Sequence, residues 1–252
     1  MMADLLKGRT ALVTGAARGI GYAIAQAMAR HGARVVIADL DAETTTAAAG
    51  TIAGARAEVL DVTDERATEM VLDRLQAEGW TPDVVVPNAG ILLLAPATDI
   101  APHDFRKVVE VNLTGAFVTA SSAARRMDDG GCIVFTSSLF GIRGGSGNAA
   151  YAASKFGMVG LMESMAADLA LRGVRVNAVA PGQIQTEMIE KLVATRLEQG
   201  LPDPRARLIS RIPMGRMGTP DEVAGTYVYL ASPLAGYVTG QTLVVDGGWQ
   251  VG

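Results

Sequence analysis

The chain has 252 residues, with 22 Lys+Arg against 26 Asp+Glu for a formal charge of −4, 49% apolar residues, 29 Gly and one cysteine, Cys132. High apolar content with modest charge excludes disorder as the main state, and a lone cysteine excludes a disulfide scaffold. An acidic balance without a long basic run argues against nucleic acid as a partner. No apolar stretch is long enough to cross a membrane, and residues 1–7 lack a basic start followed by an apolar run, so a cytoplasmic protein with no membrane partner is expected. Glycine weakens helices and strands, so its excess points to tight turns and to close approach of backbone to something else.

Short apolar runs alternate with helical patterns along the whole length. Thr10–Thr14 is a strand, followed by glycines and a helix over Ile20–Arg30. Arg34–Asp39 is the second strand, and Asp41–Ala49 is a Thr-rich segment of weak helical preference. Ala57–Leu60 and Asp83–Val86 read as strands on either side of a helix over Asp64–Gln76. Pro102–Met127 is a long helical region, Cys132–Thr136 a strand, and Tyr151–Leu171 a long helix. Gly157 and Gly160 inside that last helix suggest close packing against a neighbour. Val174–Val179 is a strand closed by Pro181-Gly182; Thr219-Pro220-Asp221-Glu222 starts a helix with a capping box; Thr242–Val245 is the last strand. The expectation is one α/β domain over residues 1–252, a doubly wound parallel sheet of about seven strands with helices on both faces. Residues 187–213, with Pro202 and Pro204, are the least regular segment and are expected to form a substrate-binding flap.

Thr14-Gly15-Ala16-Ala17-Arg18-Gly19-Ile20-Gly21 follows the first strand and opens the first helix. Glycines there allow a sharp turn and let a pyrophosphate approach the N–H groups of a helix N-terminus. The spacing is G-x-x-x-G-x-G, which differs from the common dinucleotide fingerprint and from a Walker loop. Asp39, 24 residues after Gly15, ends the second strand, where a carboxylate can accept from a ribose 2′-hydroxyl and repel a 2′-phosphate. Arg18 pulls toward the phosphate; Asp39 outweighs it, because Leu40 beside it adds no positive charge, so NAD is expected over NADP. Asp61, with Val62, is a candidate cap for the adenine pocket, and Asn88-Ala89-Gly90 closes the fourth strand beside the cofactor.

Tyr151 and Lys155 lie four apart on one helix and therefore share a face. A free tyrosine is a poor base at neutral pH, and a nearby ammonium stabilises the phenolate, so the pair suits proton transfer. Ser138, 13 residues before Tyr151, follows an apolar strand and faces the end of the sheet where ligands bind. Asn112 interrupts the long helical region; buried, it needs partners, either a water or a backbone carbonyl near Lys155.

Taken together, these motifs resemble the short-chain dehydrogenase/reductase family along nearly the whole chain. The glycine motif falls on Thr14–Gly21, the Asn-Ala-Gly motif on Asn88–Gly90 with Pro87 departing from the usual Asn, and the catalytic tetrad on Asn112, Ser138, Tyr151 and Lys155. Pro181-Gly182, Gly218–Ala224 (with Thr219 and Asp221 as slight departures) and Thr239–Gly248 also fit. The resemblance implies an NAD(P)-dependent alcohol–ketone oxidoreductase that usually forms a homotetramer. Tyr151 would exchange the proton, Lys155 would tune it and bond the nicotinamide ribose, Ser138 would orient the substrate oxygen, and Asn112 would support a water in a proton relay. Ile184 and Thr186 would contact the carboxamide, and Asn88 and Gly90 the ribose.

The substrate, a small alcohol or ketone, is expected against Arg143, Asn148, Gln183 and Met188, with Leu92, Leu94, Leu139 and Gly141 nearby. A polyol, sugar alcohol or small cyclic or vicinal diol is favoured; the alternatives are 3-oxoacyl-thioester reduction with NADPH and a nucleotide-binding regulator without turnover. His31 and His103 lie far apart with no Cys/His cluster, so no metal is expected. Cys132 reads as a small core residue.

Overall fold

A computed structural model describes residues 4–198 and 200–251. The chain alternates strand and helix: β1 (Thr10–Thr14), α1 (Gly19–Arg30), β2 (Arg34–Asp39), α2 (Ala42–Gly50), β3 (Arg56–Val59), α3 (Glu65–Ala77) and β4 (Val84–Val86). There follow α4 (Pro102–Val109), a π-helical turn (Glu110–Thr114), α5 (Gly115–Arg126), β5 (Cys132–Thr136), α6 (Ala149–Leu169) and β6 (Arg175–Pro181). The last elements are α7 (Glu187–Glu198), α8 (Arg205–Ile209), α9 (Pro220–Ala231) and β7 (Thr242–Val245).

The strands form one parallel seven-stranded sheet in the order β3-β2-β1-β4-β5-β6-β7. This is the single doubly wound, Rossmann-like domain anticipated above. Both faces of the sheet are covered, which explains why its strands read as continuous apolar runs. Ala11 and Val13 of β1, with Val35 and Ile37 of β2, pack toward α1, α2 and α9. Leu12 and Val36, one residue out of phase, pack with Ile133 and Phe135 of β5 toward α3, α5 and α6. A third, smaller cluster joins Leu139 just after β5 to Ile212, Met217 and Trp249, with Ile189 of α7 and Leu208 of α8 against it.

Local chemistry sets the ends of the elements. Asp41 caps α2 through Thr44 N–H at 2.9 Å, and Asp64 caps α3 through Ala67 N–H at 2.9 Å. The capping box at Thr219 and Glu222 forms as the sequence implied. The helical region over Pro102–Met127 forms, running without a gap from Pro102 to Arg126 through a π-helical turn around Asn112. The segment 187–213 is more regular than expected: it contains a twelve-residue helix, α7, in which Val193 is buried and Ile189 packs against the third cluster. Gly157 is packed as expected, since a Cβ there would lie 2.7 Å from Leu113 Cδ2, but Gly160 has open space around it and serves no packing within the described residues.

Candidate active site

β1 and β4 are neighbours in the sheet, and the strand order reverses between them. Their carboxyl ends therefore open the crevice in which parallel α/β sheets hold ligands. Two residues tie the crevice together. Thr14 Oγ1 accepts from the N–H groups of Asn88 (3.1 Å) and Ala89 (3.2 Å). Asn88 Nδ2 donates to the carbonyls of Thr14 (2.9 Å) and Gly15 (3.0 Å). Gly15 adopts φ +62°, and a Cβ on it would lie 2.7 Å from Ala89 Cα; a Cβ on Gly21 would fall on the Gly15 carbonyl oxygen. The glycines are thus required by the loop's own closeness to β4 and α1.

The residues present fit a dinucleotide. No side chain caps the N-terminus of α1, where Arg18 is the N-cap, so the first-turn N–H groups of Gly19, Ile20 and Gly21 are left for an anion. Asp39 stands at the end of β2, its Oδ2 accepting from Ala17 N–H (2.9 Å) and its Oδ1 from Leu40 N–H (2.8 Å). This holds the carboxylate against the glycine loop with lone pairs to spare. Leu40 is exposed beside it. On the far side, Pro181 pairs with Val245, and a Cβ on Gly182 would lie 2.7 Å from Asp246 Cα. Ile184 is buried and bridged to Gly218, and Thr186 Cγ2 would lie 3.9 Å from a Cβ on Gly19, which brings Thr186 to the loop. Asp61 is exposed and its carboxylate is engaged locally by Thr63, through N–H at 2.9 Å and Oγ1 at 2.7 Å; Val62 is buried against Gly115.

The second group of side chains gathers at the end of β5. Lys155 is buried and its Nζ donates to the Thr136 carbonyl at 2.7 Å, 5.7 Å from the centre of the Tyr151 ring. Ser138 caps a short turn by accepting from Phe140 N–H (3.2 Å), and Phe140 meets Tyr151 edge to face at 6.5 Å. Asn112 is fully buried: its Oδ1 accepts from Ile91 N–H (2.7 Å), and its Nδ2 donates to Ile91 O (2.9 Å) and Ser154 Oγ (3.1 Å). The partner is thus the Ile91 backbone, and the amide fastens the loop after β4 to α6. Gly90 lies between, where a Cβ would be 3.2 Å from Asn112 Oδ1 and 3.7 Å from Lys155 Nζ. Ser137 braces α6 by donating to the Lys155 carbonyl at 3.2 Å.

Burial raises the Tyr151 phenol above its ordinary value, partly offset by a hydrogen bond to Ser138. Burial also acts on the lysine, pushing Lys155 down to about 8.

Of the residues expected around a substrate, Asn148 is buried at the N-terminus of α6, with Nδ2 donating to Ser146 O (3.0 Å) and Oδ1 without a partner. Leu139 and Gly141 are buried, Gln183 and Leu92 are half-buried, and Arg143, Leu94 and Met188 are exposed around the same end of the sheet. Sequence reasoning missed Thr14 and Thr136, whose signal was a hydroxyl at the last position of an apolar strand. The Tyr227 hydroxyl donates to Thr136 Oγ1 at 2.8 Å inside the core. It also missed Trp249, buried against Leu139 in the third cluster. Cys132 is buried and its thiol is pushed up to about 11, which suits a core residue. Among the described residues no three His, Cys, Asp or Glu side chains gather as a metal site, and no helix is long and apolar enough to cross a membrane.

Comparison with known proteins agrees with this geometry. The family profile described as enoyl-(acyl carrier protein) reductase matches residues 15–250. The L-rhamnose 1-dehydrogenase (NAD(P)(+)) of Azotobacter vinelandii is 41% identical over 97% of this chain and 97% of its own. The 3-oxoacyl-[acyl-carrier-protein] reductase of Escherichia coli is 38% identical over 96% and 97%. The crystal structure of a short-chain type dehydrogenase/reductase from Mycobacterium marinum superposes with a TM-score of 0.90 at 38% identity, covering 98% of this chain and 97% of that one. With fold, profile and relatives matching end to end, the chain belongs to the short-chain dehydrogenase/reductase family of NAD(P)-dependent oxidoreductases.

Proposed function

We propose that the chain interconverts a secondary alcohol and its ketone with NAD, and that its substrate is a polyol, a sugar alcohol or a small cyclic or vicinal diol. One observation carries the reading: Ser138, Tyr151 and Lys155 meet at the carboxyl end of β5, beside a glycine crevice whose ribose end carries Asp39. The dinucleotide, when bound, supplies the hydride chemistry at its nicotinamide ring. Tyr151 gives its proton to the carbonyl oxygen in reduction and takes it from the hydroxyl in oxidation. Ser138 holds the same oxygen and orients it toward the phenol. A lysine near 8 exchanges a proton readily at neutral pH, so Lys155 passes the proton between Tyr151 and solvent and bonds the nicotinamide ribose. Asn112, its side chain committed to Ile91 and Ser154, supports the water of that relay by fixing the walls around it.

In this reading Gly15, Gly19, Ile20 and Gly21 hold the pyrophosphate, Asp39 and Leu40 the adenosine ribose, and Asp61 and Val62 the adenine edge. Asn88, Ala89, Gly90, Pro181, Gly182, Ile184 and Thr186 flank the nicotinamide half. Arg143, Asn148, Gln183 and Met188 face the substrate, with residues 187–213 as a flap over it. Exposed Phe105, Phe117 and Phe156 on α4, α5 and α6 support assembly as a homotetramer, which light scattering would test. The second reading is 3-oxoacyl-thioester reduction with NADPH, favoured by Arg18 and by the Escherichia coli relative. Purified protein should oxidise polyols and cyclic alcohols with NAD at higher kcat/KM than it reduces 3-oxo thioesters with NADPH. The reverse order would transfer the assignment to the thioester class.

A further inference from the structure

Arg18 is the cation of the glycine loop, standing as the N-cap of α1. It follows Ala17, whose N–H is held by Asp39; hydrogen bonds from Thr44 hold Asp41, at the start of α2, below the usual carboxylate range, and the Arg18 charge adds a smaller pull the same way. Its guanidinium lies 3.7 Å from Glu187 Oε2 on the first turn of α7. Glu187 also has Lys191 one turn on, at 4.0 Å. Arg18 thus has Glu187 within ion-pair distance and Asp41 within reach of its charge, and Glu187 comes from outside the nucleotide half of the sheet.

We propose that Glu187 is a specificity-determining residue for the cofactor: by pairing with Arg18 it withdraws the glycine-loop guanidinium from a 2′-phosphate. The proposal rests on the NAD reading above and deepens it. A carboxylate that neutralises Arg18 and a phosphate that needs Arg18 compete for the same fork of N–H donors. Because the pair is more than half exposed, the competition is modest and weakens with salt. The selectivity of the crevice is then shared: Asp39 repels the phosphate, and Glu187 denies it a partner.

The test uses ligand fragments, so it does not depend on turnover. Binding of 2′,5′-ADP and 5′-AMP is measured by calorimetry at low and high salt for the wild type, Glu187→Gln, Arg18→Ala, the double variant, and Glu190→Gln as a charge control on the same helix. Glu187→Gln should tighten 2′,5′-ADP about 3- to 10-fold more than 5′-AMP at low salt. The gain should vanish in the Arg18→Ala background and shrink at 0.5 M salt, roughly a Debye length of a few Å. Glu190→Gln should leave the ratio unchanged. An equal change for both fragments, or a gain that persists without Arg18, would overturn the proposal. The NAD reading is judged separately, by which fragment the wild type prefers, so either idea can fail while the other stands.

Discussion

The two halves of the sheet are held together differently. On the nucleotide side, Thr14, Asn88 and Asp39 bind backbone groups at fixed distances, and Gly15 and Gly21 sit where no side chain fits. On the substrate side, α7 and α8 rest on a small apolar cluster and on exposed ion pairs such as Arg205 with Glu190 at 3.5 Å. The first arrangement tolerates almost no substitution and suits a ligand whose shape never varies. The second can be repacked while Thr14, Asn88 and Asp39 keep their bonds, which is how one scaffold can serve several substrates.

The largest expected effect lies where the halves meet. Tyr151→Phe should lower kcat by about 10²- to 10⁴-fold, the range of a lost general acid–base group, while NAD binding by fluorescence titration changes little. Retained turnover would remove the phenol from the reaction. Next, Asn88→Ala leaves the Thr14 and Gly15 carbonyls without their donor and should cost about 1–3 kcal/mol in urea unfolding, with weaker cofactor binding. An equally large effect from Glu190→Gln on the other side would erase the contrast between the halves.

A third prediction concerns pH. The folded lysine lies near 8 and its ordinary value is 10.5, so between these the unfolded chain binds the proton more tightly. The stability of the wild type relative to Lys155→Met should therefore rise as pH goes from 8 to 10 and fall on the way back down. A flat difference would show the lysine to be solvated. Smaller still, Thr219→Ala removes the cap of α9 and should cost about 1 kcal/mol in thermal unfolding. Smallest of all, Glu190→Gln or Arg205→Gln should change stability by about 0.5 kcal/mol or less.

The nucleotide half was the more legible in sequence for the same physical reason that it is rigid. Gly15 and Gly19 take positive φ and Gly21 abuts the Gly15 carbonyl, local demands that leave a local pattern, and Asp39 marks the polar end of an apolar strand. Tyr151 and Lys155 were readable from helical spacing, although the direction of the tyrosine's shift was not, because burial is a property of the whole fold. The pairing of Arg18 with Glu187 spans the chain from β1 to α7 and leaves no periodic trace. Trp249 likewise meets Leu139 only after the sheet is assembled. Thr136 has a carbonyl that receives Lys155 and a hydroxyl that receives Tyr227, and neither contact is encoded by neighbours in sequence.

The π-helical turn at Glu110–Thr114 has a consequence for rotational phase. A turn closed by Gly115 N–H onto the Glu110 carbonyl contains one residue more than an α turn, and each helical residue advances the side chains by about 100°. The helix before the turn and the helix after it are therefore set to different azimuths. This lets Asn112 point at Ile91 while Ala116, Ala120 and Ala123 of α5 face the sheet. Removing one residue from the turn would restore a single continuous screw, and the chain would then keep either the asparagine in its place or the alanines in theirs.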